Sequence, residues 1–423
     1  MTEGTAPQHP TRIGKYRLLT RIAAGGMGTV YLARAQGELG FGRTVVLKVL
    51  HEHLAADEAL VQRFLDEAKV ASLLVHPNVV TVLDVMKEKE TGAVFLVLEY
   101  VHGSSLAQLL DDVTERRKTV PLPIAAAVVR DTLEGLHAAH EMVDEHGAPL
   151  HVVHRDVSPH NILVSRQGAA YLTDFGVAKL RGAVPVTKTG QVVGKPGYLS
   201  PEQLVAAPVS PATDVYGAGI VLWELLTGER LFRGLKEQAA ALSSGDVPPP
   251  PSSRRRGIPP RLDALVRSML AREARERPPS ALAAARELEQ CVAPAPRSEV
   301  GAWVAEHAKG QLALLDDVLR RAARSDAATA PPIDEARAAA DATPFEATLE
   351  AVAKKPAAAR RGSQNLRAVF MGLLAGAALM LIGALSMLVL RNNAASAGGG
   401  PPATIGLGGG GVSAVDAGDA ASP

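Results

Sequence analysis

Residues 153–163 read VHRDVSPHNIL, and residues 172–176 read LTDFG. These two stretches place a carboxylate at Asp156, an amide at Asn161 and a second carboxylate at Asp174, in that order. A carboxylate can accept a hydroxyl proton, and amide and carboxylate oxygens are suitable ligands for Mg²⁺. The order therefore predicts a proton-accepting Asp156 beside a Mg²⁺ site formed by Asn161 and Asp174.

A glycine-rich segment lies near the start of the chain. Residues 16–49 alternate apolar and polar side chains around Gly25, Gly26 and Gly28, which predicts consecutive antiparallel strands. Glycines allow backbone amides to approach phosphate oxygens, although a glycine-rich hairpin alone is more often only a turn. The residues predicted to contact a nucleotide here are Ile22, Ala23, Ala24, Gly25, Gly26, Met27, Gly28, Thr29 and Val30.

Lys48 lies within an apolar stretch, VVLKVL, where an unpaired ammonium group would be costly. It therefore needs a carboxylate partner. Glu67 is the best candidate, because residues 57–75 have apolar side chains at helical spacing and carry Glu67. A lysine that extends from a strand edge into solvent would be the simpler reading if Asp156, Asn161 and Asp174 were absent.

Taken together in this order, these motifs resemble a eukaryotic-type protein kinase domain, especially those of bacterial Ser/Thr kinases, over residues 16–290. The resemblance implies an α+β bilobal fold, with a β-rich N-lobe and an α-rich C-lobe, that uses ATP and Mg²⁺ to phosphorylate proteins. It implies that Lys48, paired with Glu67, holds the α- and β-phosphates. Glu99 and Val101 belong to the implied hinge that binds adenine.

The same resemblance implies structural roles for residues farther along the chain. Glu202 is expected to end the activation segment and to pair with Arg277. Asp214 is expected to brace the catalytic loop. Thr187 and Thr189, which lie between Asp174 and Glu202, are candidate phosphate acceptors; the alternative is that they are ordinary exposed loop threonines.

Two residues depart from the pattern of Ser/Thr kinases. Ser158 stands where the catalytic loop usually carries a phosphate-contacting lysine, and Lys195 stands after Gly194 where a threonine is usual. In the family these two positions face each other beside the catalytic aspartate. We hypothesise that the lysine has changed sides, so that Lys195 supplies the cation and Ser158 the small hydroxyl. The alternative is drift of both positions with weak activity.

Three other functions compete with a Ser/Thr protein kinase. A catalytically weak pseudokinase would act as a membrane-tethered nucleotide-binding docking module, but the intact polar set at Lys48, Asp156, Asn161 and Asp174 argues against it. A small-molecule kinase is disfavoured by the Tyr198 to Glu202 segment, which predicts a peptide-binding surface. Tyrosine specificity stays open, because the usual catalytic-loop lysine is missing.

The composition gives no reason to expect nucleic acid as a partner, because 45 basic and 44 acidic side chains leave a net charge of +1. Cys291 is the single cysteine, which excludes an intramolecular disulfide. Residues 1–15 are predicted to be disordered and do not resemble a secretory signal. Residues 291–367 are predicted to form a juxtamembrane linker with one candidate helix over 299–324.

Residues 368–390 contain no charged side chain and are long enough to cross a bilayer as a helix. Five basic residues lie between 354 and 367, whereas only Arg391 follows, so we expect a cytoplasmic kinase domain at the inner membrane. The short tail 391–423 is then extracytoplasmic and disordered. Gly372 and Gly376 have the spacing that permits helix pairing, so a homodimer is a further expectation.

Overall fold

The computed structural model describes residues 12–36, 42–88, 92–175, 195, 197–244 and 247–329. The side chains of Arg63, Glu67 and residues 326–329 lie outside this description. The predicted phosphate acceptors Thr187 and Thr189 and the predicted membrane segment 368–390 also lie outside it. Within the part that is described, no helix is long and apolar enough to cross a membrane.

The N-lobe is built on an antiparallel sheet. Its strands are β1 (Arg12–Ile13), β2 (Tyr16–Ala24), β3 (Gly28–Gln36), β4 (Gly42–Leu50), β5 (Val82–Lys87) and β6 (Val94–Glu99). They are arranged in the order β1-β2-β3-β4-β6-β5. The segment also contains helices α1 (Glu52–Ala55) and α2 (Glu58–Ser72). This arrangement confirms the predicted strands and the predicted helix after them.

The pleat of β4 decides where Lys48 points. Val45 and Leu47 are at most 2% exposed and pack with Phe95 in a core on one face of the sheet. Because successive side chains of a strand alternate between faces, Val46 and Lys48 point to the other face. That face carries the second N-lobe core, in which helix α2 packs, and the large cavity described below.

The C-lobe is mostly helical and carries a small sheet. The sheet contains β7 (Gly103–Ser105), β8 (Ile162–Ser165) and β9 (Ala170–Leu172). The helices are α3 (Leu106–Glu115), α4 (Leu122–His140), α5 (Pro201–Leu204), α6 (Pro211–Thr227), α7 (Leu235–Ser244), α8 (Pro260–Met269), α9 (Ala281–Cys291), α10 (Arg297–His307) and α11 (Lys309–Thr329). Helix α6 is buried from Thr213 to Thr227, so it forms the centre of the lobe. Helices α4, α6 and α8 agree with the α-rich C-lobe that the family resemblance implies.

The region after α9 differs from the expectation. The sequence predicts one candidate helix over 299–324 in a linker, whereas the structure has α10 and α11, separated at Ala308. Val300, Trp303 and Val304 of α10 are buried in the C-lobe core. Their spacing of three and four residues marks a core-facing helix, a signal partly hidden by the alanine- and arginine-rich surroundings. We call α10 and α11 the C-terminal helix pair.

Candidate active site

A cavity of about 580 Å³ is lined by residues of both lobes. It brings together most of the residues that the sequence analysis singled out. Those that line it are Ile22, Ala23, Ala24, Gly25, Gly26, Met27, Gly28, Val30, Lys48, Glu99, Val101, Asp156, Asn161, Asp174 and Lys195. Thr29 and Ser158 are not among the lining residues. A cavity of this volume is large enough for a nucleotide-sized ligand.

The glycine-rich loop forms the turn between β2 and β3. The Gly25 N–H donates to the Gly28 carbonyl at 2.9 Å, which closes the turn. A Cβ atom at Gly28 would lie 2.3 Å from the Val49 carbonyl oxygen, so this glycine is required by the close approach of β4. At Gly25 and Gly26 a Cβ atom would meet nothing within 4 Å. These two glycines thus leave room for a ligand.

Lys48 is paired across the cavity with the predicted metal ligand. Its Nζ lies 2.7 Å from Asp174 Oδ1, and the two side chains are 17% and 40% exposed. The predicted partner Glu67 lies on α2, but its side chain is not among those described. Lys48 is therefore held close to the carboxylate that the sequence assigns to Mg²⁺.

The catalytic loop places Asp156 and Asn161 in direct contact. The Asn161 Nδ2 group donates to the Asp156 backbone carbonyl at 2.8 Å and to Asp156 Oδ2 at 3.0 Å. This leaves the Asn161 amide oxygen as the atom available to a metal ion. Mg²⁺ is usually held by one or two protein oxygens together with substrate phosphates, so Asn161 and Asp174 on one cavity wall fit this ion.

Asp214 braces the catalytic loop, as the sequence predicts. Its side chain is fully buried, and its two oxygens accept the N–H groups of His154 and Arg155 at 2.8 Å each. His140 Nε2 also lies 2.8 Å from Asp214 Oδ2, a contact that the sequence analysis missed. Arg155 has a φ of 67°, a strained value for a residue with a side chain, and the contacts with Asp214 hold it there.

Buried contacts also hold the segment from Thr173 to Phe175, which carries the predicted metal ligand Asp174. His154 is fully buried, and its Nε2 group donates to the Thr173 carbonyl at 3.0 Å. Its ring meets the Phe175 ring edge-on, with centroids 4.7 Å apart. Asp174, between Thr173 and Phe175, has a φ of 60°. The neighbouring contacts thus fix a strained backbone that presents Asp174 to the cavity.

The two departures from the family pattern lie in different surroundings. The Lys195 backbone N–H donates to Asp156 Oδ1 at 3.3 Å, and Lys195 lines the cavity. His160 lines the same cavity, and its pKa is lowered mainly by burial and secondly by the positive charge of Lys195. Ser158 is fully buried, and its Oγ has no hydrogen-bond partner among the described residues. The proposed exchange of roles between them stays a prediction.

The predicted ion pair between Glu202 and Arg277 is confirmed. Two Arg277 nitrogens donate to the two Glu202 oxygens at 2.8 Å each, and the Arg277 side chain is fully buried. Burial opposes ionisation of Glu202, but hydrogen bonds from Arg277 and Thr213 outweigh it and lower the pKa of this carboxyl. The pair anchors the end of the activation segment to the C-lobe.

Further contacts, which the sequence analysis missed, tie this segment to the catalytic loop. Gln203 Nε2 donates to the Arg155 carbonyl at 2.8 Å, while its Oε1 accepts from the Ser200 N–H at 2.9 Å. The Tyr198 hydroxyl donates to Glu224 at 2.7 Å. The spacing from Ser200 to Gln203 is that of a capping box, a signal from which the role of Gln203 could have been found.

Comparison with known proteins agrees with this geometry. Residues 16–288 match the family described as the protein kinase domain. The tyrosine-protein kinase MasK of Myxococcus xanthus is 36% identical over 278 residues, which cover 65% of this chain and 43% of MasK. The serine/threonine-protein kinase PknL of Mycobacterium tuberculosis is 36% identical over 277 residues, or 65% of either chain. This chain thus matches less than two-thirds of either curated relative.

A solved structure shows the same fold. The kinase domain of Mycobacterium tuberculosis PknI has 26% sequence identity and a TM-score of 0.50, and the match covers 66% of this chain and 97% of that domain. A two-lobed fold with these polar groups in one cavity defines a protein kinase domain. The chain belongs to the protein kinase family.

Proposed function

We propose that this chain is a membrane-anchored protein kinase that transfers the γ-phosphate of ATP to Ser/Thr hydroxyls of proteins, its own included. The observation that carries the proposal is the convergence of Lys48, Asp156, Asn161 and Asp174 on one cavity. Each of these groups is held by named contacts, which disfavours the alternative of a weak nucleotide-binding docking module.

The geometry supports a role for each group in phosphoryl transfer. Asp156 accepts the proton of the attacking hydroxyl, and the amide of Asn161 orients its carboxylate. Bound Mg²⁺ would neutralise charge on the phosphate oxygens, and Asn161 and Asp174 would hold it. Lys48 binds the α- and β-phosphates from the opposite lobe. Positioning and charge compensation account for catalysis in this class of reaction.

Lys195 is the proposed second cation of the site. Its backbone N–H donates to Asp156 at 3.3 Å, and Lys195 lines the same cavity as Asp156, which supports a role for its ammonium group at the γ-phosphate. Ser158 provides no positive charge at the position that lysine usually occupies. The fully buried serine is consistent with a loop in which Lys195 has taken over the phosphate contact.

A second candidate specificity is tyrosine. MasK is named a tyrosine-protein kinase, whereas PknL is named a serine/threonine-protein kinase, and both are 36% identical to this chain. Phosphoamino-acid analysis of the autophosphorylated protein separates the two. We expect phosphoserine or phosphothreonine, and phosphotyrosine alone would overturn the Ser/Thr assignment.

The membrane anchor, inner-membrane location and homodimer belong to the proposal. They rest on the uncharged segment 368–390, on the basic residues before it, and on the spacing of Gly372 and Gly376. Fractionation combined with protease digestion of spheroplasts tests the anchor. We expect the kinase domain to sediment with membranes and to be protected from external protease. A fully soluble protein would contradict the anchor.

The activity itself is tested by Asp156→Asn, with Asp66→Asn as the matched control. Asp66 is an exposed carboxylate on α2, whose surface contacts are with Gln62 at 3.0 Å and Lys69 at 3.3 Å. Removing the general base should lower autophosphorylation about 10²- to 10⁴-fold. Asp66→Asn should keep the wild-type rate. Equal rates in all three proteins would overturn the proposed mechanism.

A further inference from the structure

The C-terminal helix pair lies outside the residues that match the protein kinase family, which end at 288. Helix α10 is nevertheless fixed to the C-lobe by polar contacts as well as by its buried face. His307 Nδ1 lies 2.7 Å from Asp112 Oδ2 on α3, and Lys118 Nζ lies 2.7 Å from Glu306. Helix α10 therefore sets the position from which α11 starts.

Helix α11 contacts the segment that joins the two lobes. The Ser104 hydroxyl donates to Gln311 Oε1 at 2.7 Å, and Ser104 is only 3% exposed. His102 Nε2 lies 3.1 Å from Asp316 Oδ1. Both contacts fall directly after the predicted hinge residues Glu99 and Val101. The helix thus packs beside the strand that carries the chain from one lobe into the other.

The far end of α11 reaches the N-lobe. Arg17 of β2 donates to the Ser325 hydroxyl at 2.9 Å and to the Ala322 carbonyl at 3.2 Å. Ala322 is 5% exposed, so this end of the helix is in close contact with its surroundings. One helix therefore contacts both lobes.

Two side chains of α11 line the cavity itself. Gln311 and Leu315 are among its lining residues, together with Ser104 and Gln108 of the segment after the hinge. Gln311 and Leu315 are four residues apart, so they lie on one face of α11. Leu314, the neighbour of Leu315, is 72% exposed and is not among the lining residues. The cavity wall thus includes a face of α11.

We infer that Gln311 and Leu315 are nucleotide-binding residues supplied by a helix beyond the kinase domain match. The apolar Leu315 side chain would cover the adenine and ribose at the hinge side of the cavity. Ser104 holds the Gln311 oxygen, which leaves its amide nitrogen to donate to the ribose. The inference rests on the proposed nucleotide binding but not on phosphotransfer.

Binding of ADP with Mg²⁺ to the full chain tests this inference, because it needs no catalytic turnover. Leu315→Ala should raise the Kd about three- to tenfold through lost apolar contact, and Gln311→Ala should act in the same direction. Leu314→Ala is the matched control and should leave the Kd unchanged. Equal Kd values for Leu315→Ala and Leu314→Ala would overturn the inference.

The alkylation rate of an introduced cysteine, with and without ADP, separates nucleotide contact from a purely structural effect of the substitution. Cys291 is the only native cysteine, so a Cys291→Ser background allows a single reporter thiol. ADP should slow alkylation of Leu315→Cys but not of Leu314→Cys. The absence of protection at 315 would overturn the inference. A wild type that binds ADP without transferring phosphate would overturn only the proposed activity.

Discussion

The catalytic loop is buried and braced from several sides, whereas the glycine-rich loop that lines the same cavity is exposed. His154 and Asp214 are at most 1% exposed, and Asp214 binds two consecutive backbone N–H groups of the loop. In the glycine-rich loop, Ile22 and Met27 are 39% and 38% exposed. A hydrogen bond from Gly25 to Gly28 closes the turn there, and the His51 N–H donates to the Met27 carbonyl at 3.1 Å.

This difference in burial fits the role of each loop in the proposed reaction. The hydroxyl, the base and the metal must be aligned closely, so the catalytic loop is fixed by buried polar contacts. A loop over the phosphates must open to admit ATP and release ADP. Because it has few buried contacts, the free-energy cost of such opening is small. Substitutions should therefore affect stability strongly in the braced region and weakly at the loop tip.

The largest expected effect is that of Arg277→Met, which leaves the Glu202 carboxylate without its buried partner. Breaking a buried ion pair in this way lowers the free energy of unfolding by about 3–5 kcal/mol. The matched control is Arg254→Met, because Arg254 and Glu229 form an exposed contact at 3.9 Å. Its expected cost is below about 1 kcal/mol. Urea unfolding of both variants measures the two values. Equal losses would show that the buried Glu202–Arg277 pair adds no more stability than an exposed pair.

A smaller effect is expected in the glycine-rich loop, and it should depend on the position. Gly28→Ala places a methyl group against the Val49 carbonyl oxygen, so β3 and β4 must move apart at a cost of about 1–3 kcal/mol. Gly26→Ala meets no atom within 4 Å and should change stability by less than about 0.5 kcal/mol. Thermal unfolding distinguishes them. A larger loss for Gly26→Ala would show that the loop tip is not open.

The smallest effect is a pH dependence at Glu202. Because the folded state lowers the pKa of Glu202 below its usual 4.5, the carboxylate contributes stability above that pH. This contribution is lost as the pH falls below about 4.5 toward the lowered pKa. The free energy of unfolding of wild type and Glu202→Gln should therefore differ most near pH 7 and converge in acid. A difference that is constant with pH would rule out this linkage.

The sequence predicted the catalytic loop and the residues that support it better than the long-range contacts around them. The strands of residues 16–49 follow from local sequence patterns, and the roles of Asp214 and of the Glu202–Arg277 pair follow from the family resemblance. The contact between Lys48 and Asp174 joins residues 126 positions apart, and only folding shows that the lysine reaches this carboxylate. The capping-box contact of Gln203 with Ser200 follows from their spacing, but its bond to the Arg155 carbonyl depends on how α5 meets the catalytic loop.

The C-terminal helix pair was the main difference from the sequence-based prediction. The alanine- and arginine-rich composition of 291–367 indicated a tether, because composition does not show whether a partner surface exists. That surface is formed by α3, α4 and β8, which bury Val300, Trp303 and Val304. Contact between α11 and the hinge segment likewise depends on tertiary structure.

We propose that the catalytic site uses Lys195 in place of the lysine that is missing at position 158. The most direct test of this proposal is the rate of phosphotransfer at saturating ATP in Lys195→Met, with the exposed Lys236→Met of α7 as control. Loss of one positioned cation should lower kcat about 10²- to 10³-fold, and Ser158→Lys with Lys195→Thr should restore much of it. Lys236→Met should match wild type. Full activity in Lys195→Met would contradict the account.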